Sequence, residues 1–110
     1  MALDVDQIFT DMLAAGAASF GASWKKAETF ATHEFEIIAL RLVQIAKAAA
    51  ALEFDQETAR LLVAMQINNS ASLIASMTTL ILKAVQDAIN AAIAVVRQAI
   101  NNAAGFVLLA

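Results

Sequence analysis

Residues 68–105 read NNSASLIASMTTLILKAVQDAINAAIAVVRQAINNAAG and carry only three charged side chains, Lys83, Asp87 and Arg97. So apolar a stretch has to be hidden from water, either by lipid or by other helices. On a wheel at 100° per residue, Asn69, Ser72, Ser76, Thr79, Lys83, Gln86, Asp87, Asn90, Arg97 and Asn101 fall within about 60° of one line through Lys83. Ala94 is the one gap in this polar stripe. The rest of the circumference carries Leu73, Ile74, Met77, Ile81, Leu82, Val85, Ile89, Ile93, Val95, Val96 and Ile100. The apolar arc covers roughly two-thirds of the helix, well beyond the ~100° stripe of an ordinary surface helix.

Working outward, no helix breaker lies between Asp55 and Gly105, and the chain has no proline. That predicts one helix over about 55–103, ~70 Å long at 1.5 Å per residue. Asp55 is its expected N-cap, with Glu57 at the positive end of the helix dipole and Glu53 in the turn before. Upstream, Asp4 reads as an N-cap with Gln7 completing a capping box, and Leu3 and Ile8 are spaced as a hydrophobic staple. A helix over about 4–20 follows, then a second over about 23–52 carrying Phe30, Ile37, Ile38, Leu42 and Ile45. Gly16 and Gly21 predict a kink, a break or a close helix contact between them. The expected fold is all-α: a single helical domain over 1–110, built as a long antiparallel hairpin that associates into a multi-subunit bundle. Its apolar tail, 105–110, starts at Gly105, a natural helix stop.

Composition sharpens the association argument. The chain has 110 residues and 61% apolar residues, against roughly 45–50% in ordinary soluble domains. A monomer of this size hides only ~60–70% of its unfolded surface, so partners or lipid are the expected outlets. Cysteine is absent, which removes disulfide and thiolate chemistry, and a net charge of −3 argues against nucleic acid. The N-terminus MALDVDQ is acidic, unlike a secretory signal peptide or mitochondrial presequence, so a cytoplasmic location is expected. The longest charge-free run, Leu61–Leu82, is long enough to cross ~30 Å of hydrocarbon, which makes membrane association the alternative. Polar residues in its first half, and flanks without aromatic belts, argue against that alternative.

Reactive constellations are missing. His33 in ATHEFE has Phe30, not glutamate, three residues before it, so the Glu-x-x-His pair of a di-iron bundle is absent. Glu53, Asp55 and Glu57 lack the spacing and glycine of a calcium loop. Lys25 and Lys26 beside Trp24 read as a helix surface with an aromatic anchor. Ser70, Ser72, Ser76, Thr78 and Thr79 have no histidine or cysteine partner for nucleophilic chemistry. No enzyme and no cofactor are expected, and the residues leave a small-molecule ligand unknown.

The expected function is a non-enzymatic structural or scaffolding protein that self-associates. Its interface would use Leu73, Ile74, Met77, Ile81, Val85, Ile89, Ile93, Val96, Ile100, Phe106 and Leu108, with the polar stripe fixing register. A small membrane pore former or holin-like protein is one alternative, and a helical adaptor for a different chain is another. The size, the alanine richness, the lack of cysteine and the NNSAS…MTTL segment are similar in composition to subunits of bacterial R-bodies, which are insoluble coiled protein ribbons. That likeness lacks a diagnostic motif and assigns no residue a role.

Overall fold

The computed structural model describes residues 3–110. Four α-helices account for most of them: α1 (Val5–Phe20), α2 (Trp24–Ala50), α3 (Gln56–Thr78) and α4 (Leu82–Ala104). A single 3-10 turn, Gly21–Ser23, joins α1 to α2. Successive helices fold back on one another, α1 packs chiefly on α4, and α2 packs chiefly on α3. The molecule measures 40 × 23 × 19 Å, its long axis matching the 27-residue α2.

The helix starts follow their capping chemistry. Asp4 accepts a hydrogen bond from the Asp6 N–H at 3.0 Å, and Asp55 accepts one from the Thr58 N–H at 2.7 Å. Gln7 does not close the capping box; its amide donates to Asp11 instead. Both glycines in the first arm are used. Gly16 is buried where α1 meets the Phe35 ring of α2, and Gly21 takes φ 58° to end α1.

The expected single helix over 55–103 is two helices. Thr79 adopts φ 60°, Ile81 is extended, and α4 restarts at Leu82 in the reverse direction. Thr78 closes α3: its hydroxyl donates to the Ile74 carbonyl at 2.6 Å and accepts from the Leu80 N–H at 3.3 Å. Left-handed backbone at a non-glycine residue costs ~1–3 kcal/mol. Folding α4 back buries Val85, Ile89, Ile93, Val96 and Ile100, each worth ~1.5–3 kcal/mol when removed from water. Burial wins, and the two-armed hairpin becomes an antiparallel four-helix arrangement.

Small residues let those helices approach closely. Ala27, Ala31, Ala39 and Ala46 of α2 and Ala88 and Ala92 of α4 are completely buried. They pack with Met12, Phe35, Ile38 and Leu42 into one contiguous core. The apolar tail folds back onto this bundle. Asn101 holds it with three hydrogen bonds: its Oδ1 accepts from the Leu108 and Leu109 N–H groups, and its Nδ2 donates to the Leu109 carbonyl. Arg60 adds a bond to the Val107 carbonyl at 3.0 Å and places its guanidinium 5.2 Å from the Phe106 ring centre.

Candidate association surface

The residues expected to form one interface separate into two groups. Ile74, Val85, Ile89, Ile93, Val96, Ile100 and Leu108 are buried within the chain itself, so they do not offer an external surface. This corrects the expectation that the apolar arc needs a partner to stay dry. α1 and α2 cover it from inside the same molecule. Leu73, Met77 and Ile81 remain exposed, and Phe106 is half-buried under Arg60.

The polar stripe survives the break because each helix turns its polar side outward. Asn69, Ser72, Ser76 and Thr79 are exposed on α3 and its end, and Lys83, Gln86, Asp87, Asn90 and Arg97 are exposed on α4. Lys83 and Asp87 form the one ion pair among the described residues, at 3.0 Å across one helical turn, and both are exposed. Such a pair contributes ~0.3–0.5 kcal/mol. Asn101 leaves the stripe for another task, the tail clamp just described.

The surface that the sequence reading missed is the outer side of α3. Ala59, Val63, Ser70, Ala71 and Ile74 face inward; Leu61, Met65, Asn68, Asn69, Ser72 and Ser76 face outward. Leu61, Met65, Leu73 and Met77 are between 44 and 59% exposed, and no charged residue lies between Arg60 and Lys83. From Leu61 to the end of α3 at Thr78 the solvent-facing side carries no charge, which is unusual, because outward positions normally carry Lys, Glu, Arg or Asp. The signal was present in the sequence as the run Leu61–Leu82. Without the turn at Thr79–Ile81 that run has the length of a membrane span; the turn divides it between two helices. Among the described residues, no helix is long and apolar enough to cross a membrane.

An open groove of 780 Å³ runs beside this face, between α2 and α3, lined by Arg41, Gln44, Ile45, Phe54, Met65 and Asn69 among others. Arg41 there donates to Gln44 on its own helix. The reactive candidates do not converge. His33, Glu28 and Glu36 are exposed, Glu34 is buried, and Ser70 is enclosed with its hydroxyl bonded to Gln66. No group of three or more metal-ligating side chains occurs among the described residues. Glu53, Asp55 and Glu57 are all exposed at the α2–α3 turn, where Asp55 works as a cap.

Comparison with protein-family models, with curated proteins and with solved structures finds no match to this chain.

Proposed function

We propose that the chain is a non-catalytic helical protein whose work is association with further copies of itself, as a structural or scaffolding element. The observation that carries this reading is the outward, charge-free face of α3. Half-exposed Leu61, Met65, Leu73 and Met77 lie along one helix of a molecule whose core is otherwise closed. Leu61 and Met65 form one apolar pair and Leu73 and Met77 another about 120° further round the helix, with Asn69 between, and grouped apolar side chains of this kind mark association surfaces more than single ones do. The driving force is the removal of those side chains from water at ~25 cal/mol per Å².

The test is light scattering coupled to size-exclusion chromatography in detergent-free buffer over a wide dilution series. Self-association predicts a mass above one chain that falls on dilution. A monomer mass at every concentration overturns the reading.

A further inference from the structure

We infer that the groove between α2 and α3 binds a single-chain fatty acid, with its carboxylate on Arg41 and its alkyl chain directed toward the α2–α3 corner. This goes beyond the self-association reading and does not depend on it, since one copy of the chain supplies the whole groove.

The lining is graded from end to end. α2 enters the corner at Ala50 and α3 leaves it at Gln56, so the two helices run antiparallel along the groove walls. Counting outward from the corner, Phe54 comes first, then Ala48 and Leu62, then Ile45 and Met65. Beyond them stand Gln44 and Gln66, and last Arg41 with Asn68 and Asn69. Hydrocarbon thus lines the end nearest the corner, whereas amides and one guanidinium line the other. Ala48 to Arg41 spans ~10 Å of helix at 1.5 Å per residue. The groove volume, 780 Å³, falls within the ~300–1,000 Å³ of small-molecule sites.

The polar end selects the head group. Arg41 is the one charged residue in the groove lining among the described residues. A guanidinium carries five N–H donors, and Arg41 uses one on the Gln44 side-chain carbonyl at 2.9 Å. No carboxylate pairs with it, because the one ion pair among the described residues is Lys83–Asp87 on α4. A planar fork with spare donors matches a carboxylate two bonds at a time, and it repels an alkylammonium. The amides of Asn68 and Asn69 add donors at the same end. An apolar ligand without an anion leaves Arg41 unmatched, and an anion without a tail leaves Leu62 and Met65 open to water. A fatty acid supplies both in one molecule.

Isothermal titration calorimetry of the full chain with dodecanoate, kept below its micelle concentration, tests this. Binding should saturate at one molecule per chain. Arg41→Gln, at an exposed position, should weaken dodecanoate about tenfold through loss of the charge-assisted pair. Arg97→Gln, exposed on α4 and outside the groove lining, should change nothing. Dodecyltrimethylammonium, with the same tail and the opposite charge, should bind about tenfold or more weakly than dodecanoate. Met65→Glu, which sets a carboxylate in the groove wall, should weaken dodecanoate but not dodecyltrimethylammonium. Absence of saturable binding, or equal affinity of the natural chain and Arg41→Gln for dodecanoate, overturns the inference. So does equal binding of the cationic surfactant. Attachment to phosphatidylglycerol vesicles without uptake of dodecanoate overturns it in favour of a bilayer surface. A monomer by light scattering that still takes up dodecanoate ends the self-association reading and leaves this one standing.

Discussion

Gly16 in α1 lies against the Phe35 ring of α2 so closely that a Cβ added at Gly16 would overlap the ring. Both residues are buried, and Phe35 is wholly so. The missing side chain sets how near the two helices come.

Gly16→Ala should therefore destabilise the fold, although alanine is the better helix former. Overpacking costs ~1–3 kcal/mol, and helix propensity returns at most ~1. A net loss of about 1–2 kcal/mol is expected in urea unfolding. Adding Phe35→Leu should make the alanine cheaper than it is alone, a coupling that a double-mutant cycle reads directly.

The two corners at Leu52 and Thr79 share an unusual backbone, φ 60° without glycine. At Leu52 the Glu53 N–H bonds the Ala48 carbonyl and the Leu52 N–H bonds the Ala49 carbonyl, a helix ending that normally takes glycine. The Leu52 side chain is 87% exposed, so little packing is lost by removing it. Leu52→Gly and Thr79→Gly should each stabilise by about 1 kcal/mol, raising the thermal midpoint by several degrees. Leu52→Ala should give no such gain, since alanine keeps the Cβ.

Asn101 carries all three side-chain bonds that hold Leu108 and Leu109 to α4. Asn101→Ala should cost roughly 2–3 kcal/mol, because partly buried backbone groups lose their partners. Hydrogen exchange at the Leu108 and Leu109 amides should accelerate well before any amide in the middle of α2. Asn101→Asp, which keeps the acceptor but not the donor, should fall between alanine and the natural residue.

At the α3 start, hydrogen bonds from the Thr58 side chain and backbone hold the Asp55 carboxyl below its ordinary 3.8. A depressed folded-state pKa adds stability that is fully present above the unfolded value and lost as pH falls through the folded one. The thermal midpoint of the natural chain should thus drop below about pH 4. Asp55→Asn keeps a capping oxygen that does not titrate, so its acid-side drop should be shallower. Equal slopes for the two proteins would remove Asp55 from the acid response.

The all-helical character, the cap residues Asp4 and Asp55 and the stop at Gly105 were legible because each rests on local chemistry. The close contact at Gly16 was legible as one of three outcomes, since glycine inside a helix signals something unusual without saying which. The turn at Thr79–Ile81 was not legible. Neither Thr79 nor Ile81 is a turn former, and what bends the chain is the distant gain from laying Ile89, Val96 and Ile100 against α1 and α2. Once that turn is missed, one polar stripe appears to run unbroken, because α3 and α4 each point it at water with the same phase. The charge-free face of α3 was in view throughout, but its meaning depended on knowing that α3 ends at Thr78.

The methionines sit in contrasting places: Met12 is sealed in the core, whereas Met65 and Met77 lie more than half open on α3. In a chain without cysteine, these two thioethers are, among the described residues, the groups most open to peroxide, and sulfoxide is polar where thioether is not. Mild oxidation should leave the fold standing while making the outer face of α3 more polar. Methionine sulfoxide reductase, by reversing the lesion, would then restore assembly.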